Sequence, residues 1–409
     1  MTCNETGIHI YISYLIIIKV VFERSHMRIG FVINPIAGLG GTVALKGTDG
    51  LAQEAIRLGA TPIAHKRAEF FFTVLDKTIK KDIRERFLFF TPKSPMGEQV
   101  IKNFNFKYEL IDLELSSIET TANDTKEAIK HFESKQVDLI LFVGGDGTSI
   151  DIGLSIKHKT PMLGIPSGVK TYGSVFSHTP EEAVNVVLAF ESSKNVSDAE
   201  LLDLDENLYK KGVLCITLKG IVPVPAYPEY FQNAKERVES NNSEKENLQR
   251  IADEIINVLK ENSSNKLLII GPGSTFNPLA QKLGISRSTL GVDCIEYDNK
   301  FNSRILISDA REDQIFTLIE KYKDIFLLIT PIGGMGYIFG RGNHQISPRI
   351  IRAISKEHLL ICCSTQKLNT LKDGVLRIDT SDKEFNISMT GYLKIIIDID
   401  QRRMIKLIH

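Results

Sequence analysis

Residues Asp138–Thr148, DLILFVGGDGT, decide how the rest of the chain is read. Asp138–Val143 is almost wholly apolar, the pattern of a strand buried on both faces. Two glycines, one carboxylate at Asp146, a third glycine and a threonine follow. Gly144, Gly145 and Gly147 carry no Cβ, so backbone N–H groups there can come close to a ligand. A helix starting at this point would present N–H groups that favour an anion such as phosphate. Asp146 then places negative charge where a phosphate is expected, and so needs a task of its own, as proton acceptor or as metal partner. The plainer alternative is a helix N-cap, stabilising by about 1 kcal/mol.

Outward from this strand, the pattern of strand, loop and helix repeats. MRIGFVINP at Met27 is a strand entering a glycine-rich loop, and Leu51–Leu58 has helical character. Arg86–Phe90, Tyr108–Leu113 and Pro161–Ile165 are short apolar runs, while Thr125–Ser134 and Pro180–Phe190 read as helices. Thr179-Pro180-Glu181-Glu182 is a strong helix start. Such alternation implies a parallel sheet covered by helices, an α/β domain over residues 27–197. After about Asp198 the texture changes. Gly212–Pro225 is β-rich with prolines that forbid helix, and Glu236–Asn247 is charged, an exposed linker or a helix start. Leu248–Lys260 and Ile346–Ser355 read as helices, Lys266–Ile270 and Phe326–Thr330 as strands, and Gly374–Ile408 returns to β texture. The expected organisation is therefore a second domain over 198–409, with β-rich segments 198–235 and 366–409 interrupted by an α/β insertion over 236–365.

Composition narrows the function classes. The chain has 409 residues, 43% of them hydrophobic, enough for a substantial core without disulfides or metals. Fifty basic residues balance fifty acidic ones, so no net charge points to nucleic acid or to an anionic membrane as partner. Cys3, Cys215, Cys294, Cys362 and Cys363 show no paired-ligand spacing, and the vicinal pair in HLLICC reads as reduced core residues. That fits a cytoplasmic protein. Residues 1–26 stand apart. Ile8–Phe22 is strongly apolar but spans 15 residues and carries His9 and Lys19, short of the roughly 20 a membrane helix needs. It also lacks a basic leader and a cleavage site, so it reads as an extension or a misplaced start rather than an anchor or signal.

Three common signatures are missing. There is no GxxxxGK[ST] phosphate loop, no complete GxGxxG (GLGGTV at Gly38–Val43 breaks at its last position), and no HExxH or HxE metal motif. Instead, glycine loops follow one strand after another: NPIAGLGG (Asn34–Gly41), GGDGT (Gly144–Thr148), GIPSG (Gly164–Gly168), GPGST (Gly271–Thr275) and GGMGYIFGRGN (Gly333–Asn343). One such loop is usually a tight turn. Several at the carboxyl ends of parallel strands mark the edge where open α/β sheets bind ligands.

VGGDGT after a buried strand, an upstream NPxxG loop and a downstream GIPxGVK segment together resemble the ATP-NAD kinase superfamily. GGDGT with Asp151 five residues after Asp146, GIPSGVK (Gly164–Lys170) and IGGMGYIFGRGNHQISP (Ile332–Pro348) resemble most its archaeal and AcoX-like branch. The resemblance runs from about Met27 to the C-terminus. GGDGT alone is shared with diacylglycerol and sphingosine kinases, and the GRGN-x-QIS block is the more discriminating piece. The resemblance implies phosphoryl transfer from ATP, with Mg²⁺, to a hydroxyl of NAD⁺ or a related nucleotide. Asp146 is the motif residue implied to activate that hydroxyl, and homo-oligomers are implied as well. The alternatives are a lipid kinase of the diacylglycerol or sphingosine class and a nucleotide-binding regulator without catalysis.

The remaining site residues carry paired readings. Asp151 holds metal-bound water or is a first-turn acid. Lys170 neutralises phosphate or is solvated. Arg341 lies between Gly340 and Gly342, with a guanidinium shape suited to bidentate phosphate binding and room for a ligand to approach. Asn343 and Gln345 hydrogen-bond a base or ribose, or fix their own loop. Asn34, Gly38, Gly40, Gly41, Thr148, Gly164, Ser167, Gly168, Gly333 and Gly334 are candidate nucleotide contacts, as are Gly273, Ser274 and Thr275, of which the last two could instead cap a helix. The Asn-Glu pair that NAD kinases carry after GGDGT has no convincing counterpart: neither Asn207 nor Asn302 is followed by Glu, and the Asp203–Glu206 acids near the right region read as a solvated turn. The reaction type is therefore better defined than the acceptor.

Overall fold

The computed structural model describes residues 26–44, 52–115, 120–167, 171, 173–204, 216–227, 230–231, 242–260, 266–287, 289–298, 302–380 and 382–409. The apolar segment Ile8–Phe22, Gly168, Lys170, Cys3 and Cys215 lie outside the described residues.

The first unit is a five-stranded sheet in the order β3-β2-β1-β4-β5. Its strands are β1 (Met27–Ile33), β2 (Phe87–Thr91), β3 (Lys107–Leu110), β4 (Leu139–Gly144) and β5 (Met162–Pro166), and every neighbouring pair is parallel. Every residue of β4 is buried, as its unbroken apolar run requires. Helices α1 (Ala52–Arg57), α2 (Ala64–Thr78), α3 (Ala122–Ser134), α4 (Asp146–Ser155) and α5 (Pro180–Ser193) belong to this unit, with single helical turns over Lys81–Arg84 and Glu98–Ile101. In α5, Thr179 accepts from Glu182 N with Pro180 in the first turn, the start its sequence announced. Edge-to-face phenylalanines, among them Phe31, Phe71, Phe72 and Phe89, fill the space between α2 and the sheet.

Strands β6 (Val196–Leu204) and β7 (Ile216–Pro225) form a two-stranded antiparallel sheet. The remaining strands join a nine-stranded mixed sheet, in the order β10-β9-β8-β11-β13-β15-β16-β14-β12. They are β8 (Lys266–Ile270), β9 (Asp293–Tyr297), β10 (Ser303–Ile307), β11 (Asp324–Ile329), β12 (Tyr337–Phe339), β13 (Leu359–Cys362), β14 (Leu376–Ile378), β15 (Gly391–Asp398) and β16 (Gln401–Ile408). Strand alternation divides its residues between two cores. Leu267, Ile269, Leu327 and Ile329 enter one, and Leu268, Ile270, Phe326 and Leu328 the other. Helix α6 (Asn242–Lys260) covers the second core through Ile251, Ile255 and Leu259.

The β segments expected to share a domain are apart. β6 and β7 pack on α4, and Ala199, Leu201, Val222 and Val224 belong to the core of the first unit. Gly153 of α4 makes this possible, because a Cβ there would meet Leu201 Cδ1 at 2.4 Å and Val222 Cγ1 at 3.0 Å. At the other end of the chain, β15 pairs in parallel with β13, so the terminal hairpin continues the sheet of β8 and β11 rather than enclosing it. β texture marks both segments as strands but does not say which core covers them. The expected helix over Ile346–Ser355 is confined to Pro348–Arg352, and a helix over Lys383–Met389 interrupts the C-terminal β region.

Candidate active site

In the first sheet, chain order reverses between β1 and β4, because β1 continues towards β2 and β4 towards β5. The loops leaving two such strands diverge to opposite sides and leave a crevice at their carboxyl ends, the usual ligand position in open α/β sheets. Those two loops are the NPxxG and GGDGT segments. Asn34 N donates to Val143 O at 2.9 Å, and Asn34 Nδ2 donates to Thr148 Oγ1 at 2.9 Å, tying one to the other. Asn34 Oδ1 also accepts from Ile36 N at 3.2 Å. Beyond it the chain runs as tight turns through Gly38 (φ 77°), and Gly41 N donates to Gly38 O. Gly40 lies within the same turns. The far end of this loop reaches the second unit, where Glu312 N donates to Thr42 O at 3.2 Å.

Asp146 is the first residue of α4. Gly145 takes the N-cap position, so the carboxylate does not cap its own helix. Instead, Asp146 Oδ1 accepts from Gly173 N at 3.2 Å, which turns it towards the segment that joins β5 to α5. Gly147 beside it is exposed, whereas Thr148 is buried. Gly144 serves packing: a Cβ there would meet the Thr148 side chain at 2.6 Å. Gly164 is likewise a core residue, its missing Cβ replaced by the rings of Phe176 and Phe142. Ser167 is buried next to this edge, and its N donates to Gly144 O.

Asp151 does not join Asp146. Five residues along a helix rotate a side chain by about 140°, and Asp151 instead pairs with Lys126 of α3 at 3.0 Å. Its expected metal role therefore has no support from its position. Among the described residues, no three His, Cys, Asp or Glu side chains come together as a cation cage.

Arg341 also departs from expectation. It is 2% exposed, and its guanidinium is engaged by protein: Nε donates to Asp379 Oδ2 at 2.9 Å, Nη2 to His178 O at 2.6 Å and Nη1 to Thr171 Oγ1 at 3.3 Å. Arg67 of α2 forks onto both oxygens of the same Asp379 and donates through Nε to Pro166 O at 3.0 Å. Gly340 (φ 82°) lets this approach occur, since a Cβ there would stand 2.0 Å from Asp379 O. Flanking glycines around an arginine thus signal close backbone contact here, and Arg341 is a joint between the units rather than an open phosphate clamp. Asn343 is buried and donates to Ile338 O, fixing its own loop, and Gln345 is buried beside it. Burial opposes ionisation of Asp379, but the two guanidinium groups outweigh it and hold the carboxyl down at about 2. His344 is pushed down to about 4 by burial and by Arg67 and Arg341. The cluster borders a cavity of about 360 Å³ between the units, lined among others by Lys66, Arg67, Thr179, Gly340, His344 and Asp379.

The other candidate loops belong to the second sheet. Gly273, Ser274 and Thr275 follow β8, and Gly333 and Gly334 follow β11. Sequence reading missed Arg67 and Asp379, which no motif marks, and Lys367, which stands in an unremarkable helical turn. Only their distant partners reveal them. Cys294, Cys362 and Cys363 are buried free thiols, as expected of core residues. No helix among the described residues is long and apolar enough to cross a membrane.

The family model of the ATP-NAD kinase N-terminal domain matches residues 29–192, and that of the ATP-NAD kinase C-terminal domain matches residues 264–407. Two curated NAD kinases from strains of Clostridium kluyveri are each 25% identical over 292 residues, covering 70% of this chain and 93% of the relative. No solved structure gives a significant match. The N-terminal match spans the crevice with its Asn34 and Asp146 loops, and the two matches together cover well over half of the sequence. The chain belongs to the ATP-NAD kinase family.

Proposed function

We propose that this chain transfers the γ-phosphoryl group of ATP to a hydroxyl of NAD⁺, giving NADP⁺, with Asp146 as general base. The observation that carries this reading is the Asp146 carboxylate at the carboxyl end of β4, held by Gly173 N rather than capping its own helix. Placed there, a carboxylate orients an incoming hydroxyl and accepts its proton as the oxygen–phosphorus bond forms and the bond to ADP breaks. The amides of the α4 first turn favour the phosphate oxygens, and Asn34 braces Thr148 so that the loop needs little rearrangement.

Mg²⁺ belongs to the same proposal. It is usually held by one or two carboxylates together with substrate phosphates, not by an all-protein cage. Asp151 is committed to Lys126, so the ion would be held chiefly by the phosphates of the nucleotide. Bound with the nucleotide, the ion would offset charge between Asp146 and the phosphates. The GRGNHQISP block favours the archaeal and AcoX-like branch, where a different acceptor contact would replace the missing Asn-Glu pair.

An acceptor screen tests the substrate. Purified full-length protein is given Mg-ATP with NAD⁺, NADH, small polyols or diacylglycerol, and the phosphorylated product is followed. Turnover confined to NAD⁺ or NADH is expected; turnover with diacylglycerol alone would assign the chain to lipid phosphorylation instead.

A further inference from the structure

The loops after β8 and β11 leave the same edge of the second sheet, because the two strands are parallel neighbours. The first loop is clamped from one side. Arg287 donates to the carbonyl oxygens of Gly271 and Gly273 at 2.8 Å each and pairs with Asp293 at 3.4 Å, both side chains being almost fully buried. Asp293 is fixed in turn by Ser308 Oγ and Asp309 N, each at 3.0 Å. At its other end the loop meets β11: Thr275 Oγ1 lies 3.1 Å from Thr330 Oγ1. Thr330 Oγ1 accepts from Lys367 Nζ at 3.0 Å. Lys367 also borders the second glycine loop, its Cε 3.8 Å from where a Cβ on Gly333 would stand.

Lys367 is held in an unusual way. An ammonium has three donors, and among the described residues this one meets a neutral hydroxyl and makes no ion pair. Burial lowers its pKa, an effect that Cys363 and Glu244 partly oppose. The Cys363 thiol, pushed up to about 11 chiefly by burial, is neutral at physiological pH. Glu244 is engaged by Ser364 Oγ at 2.9 Å. Holding a cation half-buried on a hydroxyl costs free energy that a bound anion would return. Access is open, since Ser274 is exposed and Gly333 and Gly334 are half-buried.

We propose that Lys367, Thr330 and Thr275, with the loops 271–275 and 333–334, form a phosphate-binding subsite of the second unit, separate from the crevice that carries Asp146. An ammonium and two hydroxyls in one hydrogen-bonded row suit a tetrahedral dianion, which accepts charge-assisted hydrogen bonds from several directions. The phosphate could be free, the head of a sugar phosphate or part of a nucleotide; all three present the same oxygens.

Competitive acetylation of the full chain, read at Lys367 by mass spectrometry, tests this. Inorganic phosphate, glucose 6-phosphate and ADP are compared with chloride at matched ionic strength. At ligand about tenfold above Kd, labelling of Lys367 should fall about tenfold, and the probe that protects at the lowest concentration identifies the source. The same protection is expected in Asp146→Asn, which separates this subsite from the proposed kinase centre. By calorimetry, Lys367→Met should bind the protecting probe at least about tenfold more weakly, equivalent to about 1.4 kcal/mol. Lack of protection by all three probes, or unchanged binding by a folded Lys367→Met, would overturn the proposal. The labelling is read on the unmodified sequence, so it decides the matter even if the variant does not fold.

Discussion

Single residues show how far local chemistry can be read ahead. Asp146 stands out in the sequence because a carboxylate among phosphate-loop glycines is electrostatically out of place, and its bond to Gly173 N fixes its direction. Arg341 was misread because flanking glycines look the same whether a ligand or a backbone approaches; here the neighbour is Asp379. His344 yields a pH effect. Its folded pKa lies near 4, against 6.5 when free, so below pH 6.5 the unfolded chain binds more protons than the folded one. Stability should therefore fall as pH drops from 6.5 towards 4, by at most about 3 kcal/mol from this group. His344→Gln is expected to flatten that limb in urea unfolding measured across the range, while an unchanged slope would show that His344 is not its source.

Elements were legible in proportion to how sharply their pattern breaks. β4 and β8 are continuous apolar runs ended by glycines, and both appear within a residue of their expected limits. Helix α2 was missed, because AHKRAEFFFTVLDKT begins without a capping side chain and its three consecutive phenylalanines blur the helical period. The hairpin β9–β10 was missed as well, its residues too mixed in polarity to alternate clearly. Long-range placement was the least legible property. Nothing local says that β6 and β7 cover α4, because that depends on Gly153 leaving room for Leu201 and Val222. The candidate residues divided for the same reason: loops alike in sequence lie on the edges of two different sheets, one holding Asp146 and the other Lys367.

At the scale of the whole molecule, the two units are joined through a buried charge cluster. Arg67 comes from the first unit, Asp379 and Arg341 from the second, and Arg341 returns to Thr171 and His178 in the first. Removing the shared carboxylate would leave two guanidinium groups buried without their counter-charge, so Asp379→Ala should cost about 3–5 kcal/mol. The Asp379 pKa is depressed on folding, so its contribution is complete above about pH 4 and is lost as pH falls through about 2. Acid unfolding of Asp379→Ala should lack that last limb, and a wild-type-like acid profile would mean that the cluster does not couple the units. Among the described residues, the crevice at the β1–β4 reversal combines a phosphate-favouring helix start with a carboxylate fixed in direction. The most direct measurement is kcat for Asp146→Asn with Mg-ATP and NAD⁺, alongside calorimetric binding of each nucleotide. A loss of about 10²–10⁴-fold in kcat with nucleotide binding nearly intact is expected of a missing general base; near-wild-type kcat would contradict it.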